Sequence, residues 1–198
     1  AIKSRNWQPL KTSNLGYLGY PVWTRVSLIN SGSKTQSLIL YNKRPMTNYL
    51  DVRVLEKDQL VQQHKLGFFL SEVPFDSITH RLNYIKLSIP PGAARTVLTR
   101  IATQGVTEAA WEASSIAQFS GNCMRNLYIM GLYSGIMLAL VAYGLVSWYS
   151  YNQARFLFFI GYVLLFMLFV LTINGITRIF DFGLPPTVWF SGAFILFA

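Results

Sequence analysis

The stretch LYIMGLYSGIMLALVAYGLVSWY, residues 127–149, holds 23 consecutive residues without a charged side chain. As an α-helix it would be ~35 Å long at ~1.5 Å per residue, enough to cross the hydrocarbon core of a bilayer. A second uncharged stretch covers residues 156–176 and follows the short polar turn 150–155. We therefore predict two antiparallel membrane-spanning helices, over 127–149 and 156–176.

A third apolar stretch covers residues 188–198 and follows turn-forming sequence at 181–186. These 11 residues are too few to span a bilayer, so we predict the start of a third helix. We expect the chain to be part of a longer protein, with a segment before Ala1 and further sequence after Ala198. The membrane segment is then 127–198.

Charge is distributed unevenly along the chain. Residues 1–125 carry 15 Lys and Arg against 7 Asp and Glu, whereas residues 126–198 carry only Arg155, Arg178 and Asp181. The basic residues are scattered, with no run of four, which argues against a nucleic-acid partner because such proteins concentrate their charge in a patch. A basic, water-facing domain beside an anionic bilayer is the simpler interpretation.

The N-terminal half has the period-two alternation of half-buried strands. Residues 50–55 and 84–89 alternate between apolar and polar side chains. Further predicted strands are 22–29, 37–41, 67–70 and 96–102, separated by turn-forming residues. We predict an all-β, jelly-roll-like sandwich over 15–105, after an N-terminal extension over 1–14. Residues 106–126 are predicted to be an ordered linker or, over 108–119, a short helix at the membrane surface.

No residue set in the sequence has the spacing of a catalytic or metal site. His64 and His80 have no partners at ligand spacing, and Cys123 is the only cysteine. No glycine-rich phosphate loop follows a strand. We therefore expect no catalytic residues, no metal and no cofactor in this chain, and we do not expect it to be an enzyme.

Two aromatic and arginine pairs are the candidate ligand-binding residues. Trp23 and Arg25 share one face of their strand, and Tyr41 and Arg44 lie at the end of the next strand. An aromatic ring beside an arginine can stack on a sugar ring or hold a carboxylate. The alternative is structural, with a buried tryptophan and an arginine that satisfies backbone carbonyls.

Small residues mark the first predicted helix. Gly131 and Gly135 are one helical turn apart, and Gly144 follows. Such residues let a second helix backbone approach closely. They indicate either a seam between two copies of the chain or packing within its own helix bundle.

The chain resembles a known family in the order of several short motifs. These are Val22-Trp23-Thr24-Arg25 with Asn30, Tyr49-Leu50-Asp51-Val52, Gly67, Arg81 and Leu98-Thr99-Arg100-Ile101, followed by Met130–Leu140 with Tyr143 and by Ala154–Tyr162. The combination resembles bacterial seven-transmembrane receptors with diverse intracellular signalling modules. Gly144 stands where that family usually has asparagine.

The resemblance implies a jelly-roll sandwich in the periplasm that binds carbohydrate or another small ligand. It also implies seven helices in the inner (cytoplasmic) membrane, with residues 150–155 in the cytoplasm, and an output domain beyond this chain.

Two functions from different classes follow as hypotheses. The first is a sensory receptor, in which ligand or partner binding to the sandwich changes the arrangement of the helix bundle. The second is a non-catalytic scaffolding subunit of an envelope complex that uses the sandwich for protein docking. The expected partners are the lipid bilayer, a small ligand such as a carbohydrate, and a second copy of the chain or other envelope proteins.

Overall fold

The computed structural model describes residues 7–69 and 82–176. Within these ranges the strands form one compact unit and the helices form another. The strands are β1 (Asn14–Tyr17), β2 (Val22–Ile29), β3 (Gln36–Asn42), β4 (Tyr49–Glu56), β5 (Gln59–Leu66), β6 (Asn83–Ile89), β7 (Ala94–Ala102), β8 (Val106–Glu108) and β9 (Trp111–Ser115). The helices are α1 (Ile116–Tyr151) and α2 (Arg155–Ile173).

The strands form two main antiparallel sheets that share one core. The larger sheet has the order β2-β7-β4-β5, the smaller has the order β6-β3-β9, and β1 pairs separately with β8. Alternate residues of both sheets enter a single apolar cluster of Leu40, Leu50, Val52, Val54, Leu66, Ile85, Leu87, Val97, Ile101 and Ala109. The predicted fold class, an all-β sandwich followed by apolar helices, is confirmed.

The strand β5 was not among the predicted strands. This strand reads QLVQQHKL, and all but two of its residues are exposed, because it lies at an edge of the four-stranded sheet. Because β5 is mostly polar, it lacks the apolar alternation that predicts a half-buried strand. A strand was predicted over 67–70 instead, but residues 67–69 form a turn and Leu70 lies outside the described residues.

The predicted linker over 106–126 holds two further strands and the start of α1. β8 pairs with β1, β9 pairs with β3, and α1 begins at Ile116. The sandwich therefore extends to Ser115, and no separate surface helix covers 108–119. The physical reason is burial, since Ala109 belongs to the apolar core and Trp111 packs against it.

Gly67 fixes the connection that follows β5. Its φ is +144°, in a region that residues with a side chain rarely adopt, and a Cβ atom here would overlap the carbonyl oxygen of Asn48. The buried Asn48 is held in turn, because the hydroxyl of Thr103 donates a hydrogen bond of 2.9 Å to its side-chain oxygen. The backbone of β4 and the turn after β5 thus approach each other closely only with glycine at residue 67.

The two helices are long and apolar enough to cross a membrane. At ~1.5 Å per residue, the 36 residues of α1 extend ~54 Å, well beyond a hydrocarbon core of ~30 Å. Large apolar side chains stay exposed along both helices, among them Leu132, Val146 and Phe158. Such a surface is suited to lipid rather than to water. The predicted third helix, 188–198, lies outside the described residues.

Candidate ligand-binding site

The outward face of the four-stranded sheet collects charged residues from all four strands. Strand register places two rows of side chains across it, because directly paired residues point to the same side of a sheet. One row is Trp23, Arg100, Asp51 and Lys65, and the next is Arg25, Leu98, Arg53 and Gln63. We call these eight residues the basic face.

Arg53 organises the centre of the basic face. Its guanidinium donates a hydrogen bond of 2.8 Å to a carboxylate oxygen of Asp51 and lies 5.5 Å from the centre of the Trp23 ring. Because β7 separates β4 from β2, this contact between Arg53 and Trp23 bridges over β7. Leu98 of β7 is only 2% exposed although it points away from the core, so the long side chains around it cover it.

Three other cations of the basic face are exposed. Arg25, Arg100 and Lys65 have no hydrogen-bond or ion-pair partner among residues 7–69 and 82–176. Asp51 supplies the face's only carboxylate, and it is already bonded to Arg53 and to Gln63, whose amide donates to it at 3.0 Å. The face therefore has free positive charge and a shortage of internal acceptors.

Tyr41 lies on the smaller sheet, away from the basic face. Leu40 points into the core, so Tyr41 points outward from β3, where its hydroxyl donates a hydrogen bond of 2.6 Å to Glu112. Lys43 pairs with the same carboxylate. The hydrogen bonds from Lys43 and then Tyr41, together with the charge of Lys43, hold the pKa of Glu112 below its ordinary value of 4.5 against a smaller opposing effect of burial.

Arg44 lies in the connection after β3, half-buried beside Glu108, with 3.9 Å between guanidinium nitrogen and carboxylate oxygen. Its backbone N–H donates to the side-chain oxygen of Asn42 at 2.9 Å. The structure thus keeps Trp23 and Arg25 together, but it places Tyr41 on the other sheet and Arg44 in a connection beside β8. The four residues do not converge on one site.

The sequence contains a signal for the part of the basic face that was not predicted. Residues 50–55 alternate, which assigns Asp51 and Arg53 to the polar side of β4. The same reasoning assigns Arg100 to the polar side of β7, whereas Lys65 lies on β5, which was not predicted. What the alternation leaves open is which strands are neighbours, and therefore which charges meet.

The described residues include no group of three or more His, Cys, Asp or Glu side chains that could hold a metal ion. His64 lies in β5, and His80 is outside the described ranges.

Of the three glycines singled out in the sequence, Gly144 marks the contact between α1 and α2. A Cβ atom at Gly144 would lie 2.7 Å from a side-chain carbon of Ile160. No atom of the described chain lies within 4 Å of the same position at Gly131 or Gly135. Gly144 thus packs within the chain's own helix pair, while Gly131 and Gly135 are open on α1.

The family model described as 7TMR-DISM extracellular 2 matches residues 1–114, which is more than half of the 198 residues. The chain belongs to the 7TMR-DISM extracellular 2 family. No curated protein sequence matches it significantly.

The 7TMR-DISM extracellular 2 match covers strands β1 to β8 and most of β9. This family assignment identifies the sandwich as the sensor region of a membrane receptor family, situated outside the cell's membrane. The apolar α1 begins at Ile116, just after the matched residues, and the apolar α2 follows it. The molecule is therefore a membrane protein with an outside domain, and the basic face belongs to that domain.

Proposed function

We propose that this chain is the sensing part of a bacterial receptor in the cytoplasmic membrane. Its sandwich binds a ligand or a partner in the periplasm, and the helix bundle carries the signal to an output domain beyond this chain. The sandwich itself is non-catalytic in this proposal. The observation that carries the proposal is the family match over the sandwich, directly followed by two apolar helices.

The chain path supplies a physical route for the signal. β9 ends at Ser115 and α1 begins at Ile116, with no residue between them. β9 is held by antiparallel pairing of Trp111–Ser115 with Leu38–Asn42 of β3. A shift of β3 and β9 within the sandwich must therefore either break backbone hydrogen bonds or move the first turn of α1.

Ligand binding can change the receptor only if the ligand binds one arrangement better than another. The sandwich has free cations on β2, β7 and β5. An arrangement that brings these strands closer to a shared ligand would bind that ligand more tightly than one that does not. Gly144 packs closely against Ile160 of α2, so a signal that shifts α1 along α2 would change this contact.

Purification of the full-length receptor from native membranes, followed by mass spectrometry, tests the sensory role. We expect a co-purified small molecule and no stoichiometric large partner. A large envelope protein bound in a fixed ratio, with no small molecule, contradicts sensing and supports the scaffolding alternative.

Orientation is tested separately by cysteine labelling with a membrane-impermeant maleimide. The background variant is Cys123→Ser, and the native Cys123 is buried. Ser33→Cys lies in the exposed β2–β3 connection, and Asn152→Cys lies in the exposed turn between α1 and α2. We expect labelling of the first from the periplasmic side and of the second only after membrane lysis, and the reverse pattern contradicts a periplasmic sandwich.

A further inference from the structure

β2 forms one edge of the larger sheet. Among residues 7–69 and 82–176, its only strand partner is β7. The backbone N–H of Asn30 donates to the carbonyl of Ala93 at 3.1 Å, and this pair continues the β2–β7 register. Because hydrogen-bonded and non-hydrogen-bonded pairs alternate along antiparallel strands, the odd-numbered residues of β2 direct their backbone groups away from β7. Arg25, Ser27 and Ile29 therefore present N–H and C=O groups at the edge.

The two edges of the larger sheet differ in how well they are protected. Natural edge strands avoid pairing with other chains through bulges, lysines and inward-pointing polar residues. β5 has all three, namely a register shift between Val54 and Leu55 of its partner, Lys65, and His64 opposite the core residue Val52. β2 contains no proline and no lysine, and it pairs with β7 over eight residues without a register shift. By these criteria β2 is the edge that favours pairing.

The apolar layer beneath β2 is also incomplete. The inward residues of β2 alternate from Val22 to Leu28, and all of them are only half-buried. By contrast, Leu50, Val52 and Val54 of β4 are at most 1% exposed. A strand added beside β2 would continue the sheet and remove more of this apolar surface from water.

A second β2 matches this edge in one antiparallel register. With Val26 opposite Val26 of the second copy, Arg25 lies opposite Ser27 and Trp23 lies opposite Ile29. Ile29 is 72% exposed, and an aromatic ring beside a β-branched side chain is a favourable cross-strand pair. A register centred on Arg25 would instead set two arginines directly opposite each other, which destabilises a sheet. A register centred on residue 24 would bring in Pro21, which has no N–H to donate.

We propose that two copies of this chain associate through β2, so that their four-stranded sheets join into one continuous sheet about a two-fold axis beside Val26. A two-fold axis lets the same strand serve as both halves of the interface. The inference goes beyond the proposed sensory function, because it names a second copy as the partner of the sandwich. The contacts of Arg25 with Ser27 and of Trp23 with Ile29 lie between copies. They affect association and leave the folding of a single sandwich unchanged.

Disulfide cross-linking of the full-length receptor in native membranes tests the register. Single-cysteine variants are made in the Cys123→Ser background, oxidised with copper phenanthroline and separated on non-reducing gels. Val26→Cys is expected to give a cross-linked dimer, because its two Cα atoms lie ~4.5–5.5 Å apart, within reach of a disulfide. Gln62→Cys, on the exposed edge strand β5, is the control and is expected to stay monomeric.

Two further cysteines make the test specific for one register. Thr24→Cys and Leu28→Cys lie on the same half-buried side of β2 as Val26. Each is expected to give no cross-link alone, because its two copies lie four residues out of register, ~13 Å along the strand. Co-expressed, the two variants are expected to cross-link to each other, since Thr24 of one copy lies opposite Leu28 of the other.

Charge variants in the Val26→Cys background test the contact between Arg25 and Ser27. Ser27→Lys sets a lysine opposite Arg25 of the second copy, and it is expected to lower the cross-linked fraction about threefold or more. Ser27→Glu sets a carboxylate opposite the same arginine and is expected to keep or raise that fraction. Ser37→Lys is the matched control on an exposed residue of β3, with an expected change of less than about twofold. Immunoblots verify that all variants reach the membrane at equal levels.

Several results would overturn the proposal. These are a monomeric Val26→Cys variant, cross-linking of Thr24→Cys or Leu28→Cys alone as strong as that of Val26→Cys, or equal weakening by Ser27→Lys and Ser37→Lys. A cross-link from Val26→Cys to a protein of different mass would show that another envelope protein pairs with β2 instead. None of these results changes the labelling and co-purification outcomes that test the sensory role.

Discussion

The outward faces of the two sheets carry similar residue types and use them differently. On the smaller sheet, Tyr41 and Lys43 both bond Glu112, and Tyr41 is only 7% exposed. On the larger sheet, Arg25 and Arg100 are exposed without a bonded carboxylate among the described residues. An aromatic beside a cation is therefore not enough to mark a binding site. What distinguishes the two faces is whether the protein itself already supplies the counter-charge.

The largest effect is expected from a substitution that disrupts the larger sheet and leaves the smaller sheet intact. Gly67→Ala places a Cβ against the Asn48 carbonyl at a φ of +144°, so we expect a loss of ~3 kcal/mol or more in unfolding free energy. Urea unfolding followed by tryptophan fluorescence measures the loss. Hydrogen exchange is expected to show β4 and β5 losing protection before β3 and β6.

Gly92→Ala is the matched control for this substitution. Gly92 also has a positive φ, +68°, but no atom lies within 4 Å of the added Cβ. Its expected cost is only ~1 kcal/mol, the strain of a left-handed conformation. Equal losses at the two positions would show that backbone strain, and not the contact with Asn48, governs Gly67.

The next effect tests whether the basic face has a packed layer beneath its charges. Leu98 is 2% exposed, so Leu98→Ala is expected to cost ~2–4 kcal/mol. Ile29→Ala is the control, because Ile29 points outward from the same sheet and is 72% exposed. That change is expected to cost less than ~0.5 kcal/mol. If Leu98→Ala is equally mild, Trp23 and Arg53 do not shield β7.

The smallest effect concerns the paired charges of the smaller sheet. Because the pKa of Glu112 is lower in the folded protein than its ordinary value, ionised Glu112 stabilises the fold. That contribution is present above the ordinary carboxyl pKa and is lost as pH falls through the lower folded pKa. It is expected to be small, since the Glu112 side chain is 43% exposed.

Urea midpoints of the unsubstituted chain and of Glu112→Gln measure this contribution. We expect the stability gap between them to narrow between pH 7 and about pH 3. In a chain that carries Tyr41→Phe, adding Glu112→Gln is expected to lower the stability by less, because Glu112 has already lost one of its two hydrogen bonds. A gap that stays constant with pH would contradict the assignment to Glu112.

The strands that sequence reasoning recognises are those with one buried face. β2 occupies the predicted range 22–29, and β4 and β6 each extend only slightly beyond theirs. β5 was missed because an edge strand with mostly exposed residues needs no apolar alternation. β8 and β9 were missed because short strands are set by their partners, β1 and β3, rather than by their own composition.

The candidate site also depended on contacts that the local sequence does not reveal. Trp23 with Arg25 and Tyr41 with Arg44 were predicted as ligand-binding residues because each pair sets an aromatic beside an arginine. In the sandwich β2 pairs with β7, which is distant in sequence, while β3 enters the other sheet. Neighbours in sequence thus face opposite sides, and cations from residues 25, 65 and 100 meet on one face.

The sequence by itself determined that this protein has a water-facing β domain and two apolar helices. Those properties depend on the local periodicity and polarity of each segment, which a chain carries in its own residues. Only the tertiary structure decided which charges are free and which are paired. Strand order and register depend on contacts between distant segments of the chain, such as Asn14 with Glu108 and Tyr41 with Glu112, and no local pattern specifies them.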